Sequence, residues 1–262
     1  MKKIKALLLA AGMGTRLYPF TDYWPKCLMP INQRPLMEYW LEILRTNGIE
    51  DVLVNMHYMS DTVKKFLNRP KYKDWVDSIV ETKLLGTAGT LLKNSDYFKD
   101  CTILLIHADN WCQCEFENFL EFHSLHRPSK TSITMMTFYT DTPQTCGIVV
   151  KDKQGVVQAF YEKEINPPGN IANGAVYLIE SEVLEDLKKF THLNDFSNEV
   201  LPKYIGKIST WHNHSIHRDI GNPKELLKAQ LDPTPNYLKD STDAWQQNFL
   251  KHPIHQLIQN VS

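Results

Sequence analysis

Short apolar runs alternate with stretches whose apolar positions recur at helical spacing through the first half of the chain, the pattern of strands and helices layered in an α/β sheet. Residues 4–10, 51–56, 76–80 and 102–107 read as strands. Between them, Pro35 opens a helix that carries Leu36, Met37, Tyr39, Trp40, Ile43 and Leu44 and closes at Asn47-Gly48. Ser60-Asp61 is placed to cap a helix through Leu67, and residues 87–93 suit a short helix after Leu85-Gly86. Beyond residue 115 the pattern loosens. It predicts a helix over 115–125, strands over 132–139, 147–150 and 156–160 with Gly155 turning the last hairpin, a strand over 173–179, a helix from Ser181 to Lys189, and another from Pro223 toward Gln230.

After Leu231 the composition changes. Asp232-Pro233-Thr234-Pro235-Asn236 reads as a linker, and the tail behind it carries Trp245, Phe249, Leu250, Ile254, Leu257 and Ile258. A helical extension over 232–262 is therefore expected to dock on the main body or on a partner chain, which leaves a homodimer open. The main domain is expected to span 1–231, with its pattern changing between 1–114 and 115–231.

Composition narrows the setting. With 262 residues and 42% hydrophobic content the chain can bury a large core, and 29 Lys+Arg against 30 Asp+Glu leave no chain-wide field for nucleic acid or an anionic membrane. An anionic ligand has to be gripped locally. The basic start and the run Ala6 to Ala11 imitate a signal peptide but fall short of the ~7 to 15 apolar residues such a segment needs, and no stretch approaches the ~20 of a membrane span. Five scattered cysteines without a disulfide framework suit a reducing, cytoplasmic compartment.

The chemistry concentrates where the first strand empties into Ala10-Ala11-Gly12-Met13-Gly14-Thr15-Arg16. Gly12 and Gly14 allow φ > 0 and close approach of backbone N–H groups to phosphate, Arg16 adds a forked donor, and Lys26 follows between Pro25 and Cys27. A dinucleotide site is disfavoured by Leu17 and by Asn55-Met56-His57, where a ribose-binding acid is wanted, and no G-x-x-x-x-G-K-[ST] loop is present. Alternation along the strand-like run would scatter His212, His214 and His217 over two faces, against a zinc cluster.

The string A-A-G-M-G-T-R-L-Y-P-F-T, followed at its characteristic separation by P-K-C-L-M-P, resembles the signature of the sugar-1-phosphate nucleotidyltransferases. The likeness continues through Leu85-Gly86-Thr87-Ala88-Gly89, Ala108-Asp109-Asn110, Phe160-Tyr161-Glu162-Lys163, Asn173-Gly174-Ala175 and Arg218-Asp219-Ile220-Gly221, covering about residues 4–230. It departs at Cys27, Glu164 and His217, none of which removes a required charge.

The resemblance implies a three-layer, Rossmann-like fold with a mixed, mostly parallel central sheet. It also implies attack by a sugar-1-phosphate oxygen on the α-phosphorus of a nucleoside triphosphate, with pyrophosphate leaving. On this likeness Arg16, Lys26, Asp109 and Lys163 are the catalytic candidates, and Asp109 and Asp219 together hold Mg²⁺. The nucleotide is expected along Leu9, Ala10, Ala11, Gly12, Met13, Gly14 and Thr15, with Arg16, Lys26 and Asp109, and against Gly86, Thr87 and Gly89. Glu81 would accept the paired N–H donors of guanine. Asn110, Gly147, Glu162, Lys163 and Asn173 are the sugar-phosphate candidates. L-G-T-A-G leans toward the mannose-1-phosphate guanylyltransferase branch. A glucose-1-phosphate enzyme using UTP, dTTP or CTP, and a silent relative that binds sugar nucleotides to regulate a partner, are the alternatives.

Overall fold

A computed structural model describes residues 2–235 and 243–260. The chain folds into the layered α/β arrangement that the hydrophobic pattern predicts, with the mixed central sheet that the resemblance implies. Its residues divide into two compact units, neither continuous in sequence.

The first unit takes residues 2–7, Leu85–Ile106 and Cys114–Ser215. Its backbone is the strand Ile171–Ile179, antiparallel to Thr102–His107, to Ile133–Tyr139 and to Gly147–Lys151. Short connections force antiparallel pairing, as in the hairpin of Gly147–Lys151 with Val157–Glu162, where Gly155 takes φ +77°. Ile133–Tyr139 also pairs in parallel with Ile208–His212. The strand predicted over 173–179 begins two residues earlier, and its register slips between Asn173 and Tyr177, where Ala175 has φ +52°. The helix predicted over 115–125 is a regular turn set, Phe116–Glu121, that widens into a π-helical turn over Phe122–His126. Within that turn, buried His123 lies within hydrogen-bonding distance of Thr134 (2.7 Å) and Glu180 (3.2 Å). Burial and the Arg127 charge push the imidazole down to about 4, so it is neutral near pH 7.

The second unit takes Leu8–Leu84, His107–Gln113 and the described residues after Ser215. Val52–Met56 runs parallel to Val76–Val80, and the helix Leu36–Thr46 buries Leu36, Met37, Tyr39, Trp40, Leu41, Ile43 and Leu44. Pro35 precedes that helix and Asn47 ends it, as the sequence predicts. Ser60 is not a cap: the helix Ser60–Leu67 starts on it, after Met59 in a left-handed conformation. A two-stranded ladder joins Asn110–Cys112 to His217–Asp219 and sets Asp219 opposite Asn110.

The tail belongs to this second unit. The helices Ala244–Leu250 and Ile254–Gln259 bury Phe249, Ile254 and Ile258, while Leu250 stays 45% exposed against expectation. The Trp24 ring packs against Phe249 (5.6 Å between centroids) and His252 (4.3 Å). Arg69, itself buried, donates from Nε to Asp243 (2.8 Å) and from Nη1 to fully buried Glu38 (2.9 Å), which also pairs with Arg34 and Lys71. The predicted linker is pinned as well: Asp232 accepts from Arg218 Nε (2.7 Å), Arg218 Nη2 (2.9 Å) and Trp111 Nε1 (2.9 Å), whereas Asn236 lies outside the described residues. Among the described residues no helix is long and apolar enough to cross a membrane.

Because Phe249 fills space beside Trp24 and Trp245, Phe249→Ala is expected to cost about 3–5 kcal/mol of unfolding free energy. Urea denaturation followed by tryptophan fluorescence measures it; a loss under 1 kcal/mol would mean that the tail is not part of the cooperative core.

Candidate active site

Residues from separate stretches of the second unit meet at one point. The backbone N–H of Ala108 donates to Leu9 O (3.1 Å), which carries the Thr102–His107 strand past its end and presents Asp109. The ladder to Asn110 brings Asp219 alongside. The turn after the first strand closes with Leu17 N–H on Gly14 O (2.8 Å), and Gly14 sits at φ +65°. A Cβ at Gly14 would stand 2.8 Å from Thr21 Cγ2 and 3.0 Å from Lys26 Cβ, so only glycine admits the Lys26 segment this close. Gly12 differs from the expectation: it has no positive φ and open space around it, so the left-handed turn rests on Gly14 alone.

Lys26 Nζ donates to Asp109 Oδ2 (2.7 Å) and Asp219 Oδ1 (2.9 Å), with its side chain 6% exposed. Arg16 Nη2, largely in solvent, reaches the other Asp219 oxygen at 3.4 Å. Burial alone would lower the Lys26 pKa, but the Asp109 and Asp219 charges outweigh it and raise it. Burial likewise pushes the Asp109 carboxyl up, and the Lys26 charge, His107 and the Lys26 hydrogen bond together hold it below its ordinary value. Cys27 beside them is pushed up to about 12 by burial and by the Asp109 charge, so its thiol stays protonated. At Gly221 a Cβ would lie 2.9 Å from Asp219 Oδ2 and 3.1 Å from Arg16 Nη2, so this glycine keeps room for the ion pair.

Glu81, 3% exposed, is tied into the same unit through a residue whose role the sequence reading missed. Asn55 Oδ1 accepts the backbone N–H of Ala10 (2.8 Å), and Asn55 Nδ2 donates to Glu81 Oε1 (3.0 Å). The signal was available: Asn55 is the one amide in the buried run Val52–Met56. His57 Nδ1, 2.7 Å from the Glu81 carbonyl, carries its proton on that nitrogen. Leu9, Ala10 and Ala11 are buried here, and Met13, Thr15 and Arg16 are exposed.

The remaining candidates lie in the first unit. Gly147 pairs with Glu162, and a Cβ on it would stand 2.5 Å from Glu162 Oε2 and from Phe160 Cζ. Lys163, exposed and at φ +52°, lies 3.3 Å from Glu162 Oε1. Asn173 turns its amide inward, donating to Tyr177 Oη (2.6 Å) and accepting from Ala175 N (3.0 Å). Gly86 takes φ +76° against the Asn194 backbone, and Thr87 Oγ1 accepts from Phe196 N (2.7 Å). Gly89 has Leu193 O 3.3 Å from where a Cβ would be. Asn110, buried in the second unit, offers its carbonyl to Trp40 Nε1 (2.8 Å).

Among the described residues no group of three or more His, Cys, Asp or Glu side chains could hold a metal by itself. Magnesium asks less of a protein, one or two carboxylates with water and phosphate completing its octahedron. Asp109 and Asp219 fit that share, because an oxygen of each already meets one cation.

Two cations and two aspartates thus gather in the unit that holds the parallel strands Val52–Met56 and Val76–Val80. Residues 5–235 match the nucleotidyl transferase family, and the chain belongs to that family. It is 29% identical over 232 residues to a mannose-1-phosphate guanyltransferase of Emericella nidulans, covering 86% of this chain and 62% of that one. A Candida glabrata relative, mannose-1-phosphate guanyltransferase 2, is 29% identical over 86% of this chain and 63% of its own. The matched region thus spans less than two thirds of these relatives. The solved structure of HddC from Yersinia pseudotuberculosis superposes with TM-score 0.73 at 24% identity, over 88% of this chain and 99% of that one.

Asn55→Asp would set a second carboxylate against buried Glu81 and remove its donor. A loss of about 2–4 kcal/mol in stability is expected near pH 7. Thermal unfolding at that pH tests it; an unchanged midpoint would break the Asn55–Glu81 link.

Proposed function

We propose that this chain joins a nucleoside triphosphate to a sugar-1-phosphate, forming a nucleoside-diphosphate sugar and releasing pyrophosphate, with GTP and a mannose-type hexose phosphate as the preferred pair. The observation that carries this reading is the convergence of Lys26 on Asp109 and Asp219 with Arg16 at its edge. The reaction brings a phosphate oxygen onto the α-phosphorus as the bond to the β-phosphate oxygen breaks, so its obstacle is accumulated negative charge, and no protein nucleophile is needed. Arg16, exposed and forked, binds the departing pyrophosphate. Lys26 neutralises charge at the α-phosphate, and Lys163 binds the phosphate of the incoming sugar. Asp109 and Asp219 would hold magnesium, which would supply charge neutralisation at the triphosphate.

This reading assigns the guanine preference to Glu81, whose carboxylate is buried with Oε1 on Asn55. A carboxylate accepts two parallel N–H donors from that base, whereas uracil and thymine offer one between two acceptors. The names of the relatives point the same way. Gly147, Glu162 and Asn173 serve the sugar hydroxyls. A cytoplasmic setting belongs to the same reading, supported by cysteines at positions 27, 101, 112, 114 and 146 that are all free thiols.

The purified chain with Mg²⁺, screened over GTP, ATP, UTP, CTP and dTTP against a panel of hexose-1-phosphates, is expected to release pyrophosphate fastest with GTP and mannose-1-phosphate. Asp109→Asn should lower kcat by about a thousandfold or more. No pyrophosphate from any pair, with nucleotide still bound, would favour the silent regulatory relative; undiminished turnover of Asp109→Asn would remove its metal role.

A further inference from the structure

Lys26 stands where a divalent ion would stand. Its ammonium lies 2.7 Å from Asp109 Oδ2 and 2.9 Å from Asp219 Oδ1, and the second Asp219 oxygen is engaged by Arg16 at 3.4 Å. A magnesium or manganese ion drawn to those two oxygens would have to share them with an ammonium that already touches both, and a double and a single positive charge that close repel strongly. The two occupants compete for the same oxygens. The segment carrying Lys26 has little freedom to yield, with Leu28 N–H on Pro25 O (2.9 Å), Met29 N–H on Lys26 O (3.0 Å) and Trp24 Nε1 on Leu28 O (2.8 Å). The side chain beyond Cβ is what has to move, and it moves only toward another anion.

We infer that Lys26 is an internal counter-cation that keeps the aspartate pair closed to a bare divalent ion and surrenders it only when the ion arrives with phosphate, onto which the ammonium transfers. Metal and phosphate are then taken up together, and Lys26 reaches phosphate because the carboxylates have exchanged one cation for another. No bond is made or broken. The inference rests on the nucleotidyl-transfer reading for the phosphate's identity, but not for the exchange itself.

The test reads manganese and magnesium binding, not turnover. Free Mn²⁺ is followed by electron paramagnetic resonance on the full chain without nucleotide. Lys26→Gln is expected to bind Mn²⁺ at least about tenfold more tightly than the parent chain, because the competing charge is gone. Equal affinity within twofold, or weaker binding, overturns the inference. Should the variant not fold, the parent chain decides. The ¹⁵N resonance of the Lys26 ammonium should hold its place when Mg²⁺ alone is added and shift when Mg²⁺ and inorganic tripolyphosphate are added together. A shift with Mg²⁺ alone, or none with both, overturns it. A substrate panel without turnover would count against the functional reading and leave both measurements standing.

Discussion

Two carboxylates cannot be held side by side in a half-buried place without a cation between them, and the second unit is arranged around meeting that condition. Asp109 comes from the end of a strand, Asp219 from a ladder about a hundred residues later, and Lys26 from the turn near the chain's start. Each is fixed by contacts that do not themselves carry the charge. The Ala108 to Leu9 hydrogen bond sets the first, the Asn110 to Asp219 register sets the second, and Gly14 lets the third approach. Arg218, next to Asp219, is clamped by Asp232, so the strand bearing the second carboxylate is held from behind.

A second buried ion cluster lies in the same unit and behaves differently. Glu38 is fully buried among Arg34, Arg69 and Lys71, and Arg69 continues to Asp243 in the tail. Its centre, Glu38 and Arg69, is buried, and through Asp243 it ties the tail to the unit. The Lys26 triad leaves Asp109 and Asp219 with exposed surface, 31% and 50% of their side chains, where another anion or cation has access.

Much of this was legible in the sequence because the relevant signals are local. The strand boundaries near residues 52, 76 and 102, the helix after Pro35 and the turn at Gly155 follow from apolar spacing and from Gly and Pro chemistry. Arg16, Lys26, Asp109 and Asp219 were identified by motif and do come together. The misses are long-range. Asn55 acts through Ala10 and Glu81, and Asp232 through Trp111 and Arg218, partners that no window of sequence connects. Gly12 shows the other kind of error: a glycine was credited with a left-handed turn that its neighbour makes. The register slip at Asn173 was likewise invisible, since it depends on how two other strands approach that one.

The discontinuity of the second unit has a kinetic side. Its parts come from Leu8–Leu84, His107–Gln113 and the residues after Ser215, so its contacts span nearly the whole chain. Chains dominated by such distant pairings close them late and slowly. On a ribosome, Lys26 and Asp109 are already synthesised while Asp219 is still untranslated, and through that interval the nascent protein holds only half of its anionic pair. The cluster of Lys26, Asp109 and Asp219 therefore closes only after the stretch beyond Ser215 has been made.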